Sequence, residues 1–417
     1  MEVKPGYQQS EVGVIPEEWS LRGLGDVSDL DIGLSKPKIV FGSGCPVVTV
    51  QDLYAGSIIN SSALKRVVVT EDEIQKYRLE KDDILIGNAS VKRDGIGYSN
   101  RFDGSNEDVI FAKYAYRARN LRSISPLFLH HALRSSSCRQ WVISNSQTGT
   151  LTNLNKTAAR AIPIPVPPLP EQRAIATALS DVDGLLGGLD RLIAKKRDIK
   201  QAAMQQLLTG QTRLSGFHGE WEVKRLGDVA TFYKGKGLPK SALSESGAEP
   251  CIHYGELFTR YPETIREIFS RTDTSEGVFR SVSNDVLMPT SDVTPRGLAK
   301  ASCVRFDGVI LGGDILVIRS DTNRVHGPFL SLVIRYEETQ VLQLVTGSTV
   351  YHIYGSDMKN FTFSMPPQSE QTAIAEVLTE MDAELAVLEQ RREKTRDLKQ
   401  GMMQELLTGR IRLVGKN

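Results

Sequence analysis

The chain has 417 residues, 40% of them apolar and 24% charged, and no low-complexity tract, which is more than one ordinary domain holds and enough apolar material for more than one core. No apolar run approaches the ~18 residues of a membrane span, and the start "MEVKPGYQQSEVG" lacks a basic-then-apolar signal pattern. The net charge of +1 by itself says nothing about nucleic acid, and the four scattered cysteines (Cys45, Cys138, Cys251, Cys303) form no C-x-x-C pair, so a disulfide framework or zinc site is not expected and a reducing cytoplasm is.

From the N-terminus, "EEWSLRGLGDV" (17–27) opens a block of short apolar segments. "CPVVTVQDLY" (45–54), "LKRVVVT" (64–70) and "DDILIGNAS" (82–90) are rich in Val and Ile and read as strands. "SPLFLHHALRSSSCRQWVIS" (125–144) has helical spacing, with Leu129, Leu133 and Trp141 on one apolar face. The block is therefore expected to be mixed α+β. Its charge is uneven: residues 1–83 carry 9 basic and 14 acidic side chains, residues 84–162 carry 11 and 4, a segment of net +7. Such a segment is either a solvated face or a first sign of a polyanionic partner.

The proline-rich "IPIPVPPLPEQ" (162–172) is an extended lead into a helix. Ile175, Leu179, Val182, Leu186, Leu189 and Ile193 follow the alternating four-three spacing of a coiled-coil-like seam, which loosens through Ile199, Met204 and Leu207. Pro170 suits the first helical position, and Gly210 a left-handed cap at the far end. Some 38 residues make roughly 57 Å of helix. Gly184, Gly187 and Gly188 lie inside it, each costing roughly 1 kcal/mol relative to alanine. Either another backbone approaches closely there, or they are weak points.

The helix then repeats. Residues 167–214 align without a gap with 366–413, and 24 of 48 positions are identical, far beyond chance at one constant offset. Ile374, Leu378, Met381, Leu385 and Leu388 continue the same seam, followed by Leu398, Met403 and Leu406, with Ser369 placed to cap the start and Gly409 the end. The duplication extends into the blocks: "GEWEVKRLGDV" (219–229) matches 17–27, "NDVLMP" (284–289) matches "DDILIG" (82–87), and "VTGSTVYH" (345–352) resembles "QTGTLTNL" (147–154). The second block offers "DVLMPTSDV" (285–293), "GDILVIRS" (313–320) and "PFLSLVIRY" (328–336) as strands. Its 17 basic and 18 acidic residues over 212–360 do not favour any partner.

The expected organisation is two globular blocks, 1–169 and 212–368, and two long helical segments, 170–211 and 369–417. An antiparallel helix pair would bring "RIRLVGKN" back near "VGVIPEEWSLRGLGDV", so that the chain nearly closes on itself.

Catalytic motifs are missing. "DGIGYSN" (94–100) and "KGKGLPKS" (234–241) have the wrong glycine spacing for nucleotide-binding loops, and no amino-methyltransferase motif occurs. His130 and His131 lack a carboxylate or thiol framework and read as structural.

Polar loops after strands are more suggestive. "NASVKRDG" (88–95) offers Asn88, Ser90, Lys92 and Arg93, and the equivalent "PTSDVTPRG" (289–297) offers Thr290, Ser291, Thr294 and Arg296 beside Asp292. These types make base-edge and phosphate contacts, although the same residues also build ordinary polar turns. In "KYAYRARNLR" (113–122) a period of two puts Lys113, Arg117 and Arg119 on one face with Ala115, suited to face DNA.

The "W…LGDV" block starts, the "DDILIG"-like strands, the "PPLPEQ" lead and the "QQLLTGQTRL" helix ends together resemble the specificity subunit of type I restriction–modification systems over essentially the whole chain. The resemblance implies two target-recognition domains, each reading half of a split asymmetric DNA sequence, with two long antiparallel helices setting the spacing. It also implies docking of two methyltransferase (modification) subunits and of restriction (translocase–nuclease) subunits. S-adenosylmethionine, ATP and magnesium would belong to those partners, and this chain would hold no catalytic residue. A coiled-coil scaffold binding a partner other than DNA is the alternative.

Overall fold

A computed structural model describes residues 4–36, 41–54, 58–59 and 63–413. The chain divides into two compact units: residues 1–190 with 391–417, and residues 191–390. Each is a mixed α/β body built on the same plan.

In the first unit a four-stranded antiparallel sheet runs in the order Asp29–Ile32, Ala115–Arg119, Ile84–Gly87, Ser99–Arg101. In the second, Ala230–Lys234, Ile315–Ser320, Val286–Pro289 and Ser302–Val304 follow in the same order, with Thr264–Ile265 added at the edge. "DDILIG" and "NDVLMP" thus become the same inner strand, Ile84 pairing with Ala118 and Val286 with Ile318. Burial of all four residues of Ile84–Gly87 and Val286–Pro289 explains why neither shows a polar alternation.

Two expectations about the blocks need correction. "PFLSLVIRY" is not a strand: Gly327–Tyr336 is a helix with Pro328 in its first turn. Its apolar, partly β-branched run looks strand-like, but Pro126 opens the matching helix Pro126–Leu133 in the first unit, 202 residues earlier. The first-unit helical segment also breaks in two, Pro126–Leu133 and Ser136–Ser144, where the Ser135 hydroxyl accepts from the Cys138 amide and caps the second piece.

The long helices span Leu169–Leu208 and Gln368–Leu406. Ser369 therefore lies in the first turn rather than at the cap. Gly210 and Gly409 take φ of +72° and +69°, the left-handed exit that glycine adopts without strain.

Within the first unit, Asp183 pairs with Lys399 at 2.6 Å and Asp190 with Arg392 at 3.5 Å, so the start of one helix runs antiparallel to the end of the other. Within the second, Lys196 pairs with Glu384 and Lys200 with Asp382, in the same sense. Ile175, Leu179, Leu189, Ile193, Ile374, Leu378 and Leu385 are buried along the seam. Ile199 and Leu398 are not part of it; they are 43% and 59% exposed. Nor does a backbone approach the helix glycines closely at Gly184 or Gly188, where an added Cβ would meet open space.

The lead "PPxxEQ" acts as a clamp. Glu171 and Gln172 are fully buried, and so are Glu370 and Gln371. Gln172 accepts from the Ser125 amide and donates to the Ser123 and Pro167 carbonyls. Gln371 does the same with His326, Arg324 and Pro366. The Trp19 indole donates to Glu171 at 3.1 Å and the Trp221 indole to Glu370 at 3.2 Å. Arg412, from "RIRL", seals Glu171, and Arg213, from "QTRL", seals Glu370. The chain end up to Leu413 accordingly packs beside the N-terminal strands, with the Tyr7 hydroxyl donating to the Gly409 carbonyl at 3.0 Å. Residues 414–417 of the expected closure lie outside the described residues.

Candidate nucleic-acid interface

In the first unit the inner strand ends at Gly87, and after Asn88 the chain forms the short strand Ala89–Ser90 and turns through Arg93–Gly95. Asn88 is buried and its side-chain amide donates to the Lys113 carbonyl at 3.0 Å. Ser90 is also buried; the Tyr54 hydroxyl bridges Ser90 Oγ (3.1 Å) and the Gly95 carbonyl (3.0 Å). Arg139 donates to the Asp94 and Ile96 carbonyls and pins the turn from inside. Gly95 is needed here, since a Cβ would lie 2.5 Å from Ser90 Oγ. The held loop projects Val91, Lys92 and Arg93 outward. Beside it lies a hollow of about 630 Å³, lined among others by Tyr54, Tyr98, Tyr114 and Lys92. The Lys113 ammonium sits 4.9 Å from the centre of the Tyr114 ring.

The second unit builds the matching loop from Ser291–Asp292 and Pro295–Ala299. Thr290 is buried and its carbonyl accepts from the Ile353 amide, as the Asn88 carbonyl accepts from that of Leu154. Ser291 is half-buried opposite His352. The Thr294 hydroxyl donates to Asp292 at 2.7 Å, and Arg296, 82% exposed at its side chain, pairs with Glu338 at 3.0 Å.

Arg117 and Arg119 do share one strand face, but that face is filled. Arg117 is 6% exposed, donating to Asp31 at 3.0 Å and the Arg78 carbonyl at 2.7 Å. Arg119 grips Asp83 at 2.6 and 2.8 Å and Glu80 at 3.0 Å, and the Asp83 hydrogen bonds hold its guanidinium even more firmly protonated than usual. Arg319 and Asp285 repeat that pair in the second unit.

The sequence's charge split resolves the same way. Acids of the first 83 residues pair with bases of the next segment: Asp29 with Arg122, Asp31 with Arg117, Asp82 with Arg101, Glu80 and Asp83 with Arg119. Four of the eleven bases of residues 84–162 are neutralised in this way by acids of the first segment. Lys92 and Arg93 stay exposed and make no ion pair among the described residues.

Sequence reasoning missed Tyr54, Tyr98, Arg134 and Arg139. One signal was available: Arg134 binds the Ser99 carbonyl as Arg335 binds that of Ala301, and both end the Pro-initiated helices. His130 and His131 are buried, with His131 3.1 Å from Ser180 Oγ. No cluster of His, Cys, Asp or Glu able to hold a metal ion occurs among the described residues, and no helix is long and apolar enough to cross a membrane. All four cysteines are buried free thiols.

A model of the type I restriction modification DNA specificity domain matches residues 16–194 and again residues 218–395, one copy for each half of the repeat. The chain belongs to the type I restriction–modification specificity family. A Methanocaldococcus jannaschii relative, named for the MjaX type I restriction enzyme specificity subunit, is 24% identical across 98% of this chain and 97% of its own length. The MjaVIII specificity subunit of the same organism is 23% identical across 97% and 95%. The crystal structure of the S subunit from M. genitalium has the same fold, with a TM-score of 0.62 over 97% of this chain and 98% of that one, at 14% identity. As a specificity subunit the chain is a non-catalytic component of its restriction–modification enzyme.

Proposed function

We propose that this specificity subunit reads a split, asymmetric sequence in double-stranded DNA, one half through each unit. The observation that carries the reading is that one frame, used twice, presents two chemically different loops. Lys92 and Arg93 stand free on one, while Asp292, Thr294 and Arg296 occupy the other. Unpaired cations meet phosphates or guanine edges, and hydroxyl and carboxylate groups meet other base edges. Asn88, Ser90, Thr290, Arg117 and Arg119 act on this reading by shaping the surface from behind. Lys113 sits at its margin, and Ser291 is the half-buried base of the second loop.

The recognition domains are assigned to 1–169 and 212–368, and the helical segments to 170–211 and 369–417. The helices and adjoining surfaces dock two methyltransferase subunits, with restriction subunits joining that assembly in the cytoplasm. S-adenosylmethionine, ATP and magnesium are assigned to those partners.

The test is to sequence methylated bases in DNA from cells carrying this chain with its methyltransferase partner. A motif in two parts separated by a fixed gap is expected. Absence of any motif, with the assembled complex still forming, would favour a scaffold without DNA reading.

A further inference from the structure

The internal repeat allows the two loops to be compared position by position. Residues 88–98 read "NASVKRDGIGY" and residues 290–300 read "TSDVTPRGLAK". Only Val91/Val293 and Gly95/Gly297 are identical. The glycines are explained by crowding, because a Cβ at Gly297 would collide with the Asp292 carboxylate just as one at Gly95 meets Ser90. Ile96 and Leu298 stay apolar because both are fully buried in their cores. The flanking positions differ in charge: Lys92 against Thr294, Arg93 against Pro295, Asp94 against Arg296.

Burial does not account for the valines. Val91 is 84% exposed and Val293 72%. One exposed apolar residue needs no explanation. The same one kept at the same loop position, while its neighbours diverge, does. Each valine follows the short strand of a small three-stranded ribbon, Ala89–Ser90 with Thr152–Asn153 and Gln147–Thr148, or Ser291–Asp292 with Tyr351–His352 and Thr346–Gly347. The major groove admits elements up to the width of an α-helix or a two-stranded β-ribbon, so a loop leaving the ribbon's outer strand can reach base edges there, where thymine alone presents an apolar group, its 5-methyl. Valine suits that contact because its branched side chain is stiff and loses little freedom on packing.

We infer that Val91 and Val293 are specificity-determining residues, each packing on the 5-methyl group of a thymine in the half-site its unit reads. The inference rests on the DNA-reading function proposed above.

The test uses the complex of this chain with its methyltransferase subunits and duplexes carrying the methylated motif. In one half-site at a time, every thymidine is replaced by deoxyuridine, which removes only methyl groups. The unsubstituted protein is expected to bind a substituted duplex about fourfold more weakly, the effect of one methyl group no longer buried against valine. Val91→Ala should bind thymidine and deoxyuridine versions of one half-site about equally, and keep the discrimination for the other. Val293→Ala should show the reverse, and Val91→Thr, which keeps a methyl group, should preserve most of the discrimination. If Val91→Ala retains the full discrimination at both half-sites, or if a half-site contains no thymine on either strand, the inference is overturned. Failure of the underlying reading looks different. The unsubstituted complex would then bind the motif no better than a scrambled duplex, and the inference would fall with it.

Discussion

Arg412 and Glu171 lie 241 residues apart, and their side chains meet in two hydrogen bonds of 2.7 and 2.9 Å, with the carboxylate fully buried. Arg213 and Glu370 repeat the arrangement in the second unit. In each unit the same carboxylate also receives a tryptophan indole. The duplicated "LLTGxxRL" is therefore half of a lock, and the duplicated "EQ" is the other half.

Removing the charge at Glu171 takes the buried carboxylate from Arg412 and leaves it only the exposed Glu18. Glu171→Gln is expected to destabilise the first unit by about 1–3 kcal/mol, and Glu370→Gln to destabilise the second. Urea unfolding followed by tryptophan fluorescence checks this. Unchanged midpoints would mean that solvent screens both pairs.

Lys92 and Arg93 carry the opposite kind of expectation. Changing both to alanine should leave the stability within about 0.5 kcal/mol, because neither makes an ion pair among the described residues. DNA binding should weaken, and each phosphate no longer neutralised should reduce the slope of log K against log salt by about 0.9. Methylation at one half-site should relax. Normal methylation rates at both half-sites would remove these two residues from the interface.

Arg117→Ala separates structural from DNA-facing cations. It breaks bonds to Asp31 and the Arg78 carbonyl in a buried setting, so a loss of about 1–3 kcal/mol in stability is expected, with the salt dependence of DNA binding unchanged. A change in salt slope without loss of stability would return Arg117 to the DNA surface.

Burial pushes the His131 imidazole down to about 4 and lowers His130 too, with Lys399, Arg134 and Arg101 opposing protonation and Asp183 favouring it at His131. Unfolded, both would take up a proton near pH 6.5. The unfolded chain therefore binds more protons between pH 6.5 and 4, and stability falls as pH drops through that window, by up to about 3 kcal/mol for His131. His130→Leu with His131→Val installs the residues of the second unit, Leu332 and Val333. The first unit's unfolding midpoint should then lose much of its decline between pH 6.5 and 4; an unchanged decline would place its source elsewhere.

The sequence alone determined the duplication, the two long helices with their glycine exits, and the inner strands, because these are written in local periodicity and in repeated words. It misread Pro328 to Tyr336 as a strand, since a run buried at every position from Pro328 to Ile334 has no polar alternation to distinguish the two forms. Which basic residues remain free was beyond its reach. Asp31 stands 86 residues from Arg117, and Asp83 stands 36 from Arg119, so only the folded sheet sets them face to face. Tertiary pairing neutralised Arg101, Arg117, Arg119 and Arg122 within a segment that looked ready for DNA. It left Lys92 and Arg93 outside because their turn, pinned by Tyr54 and Arg139, holds them in solvent, where no acid among the described residues pairs with them.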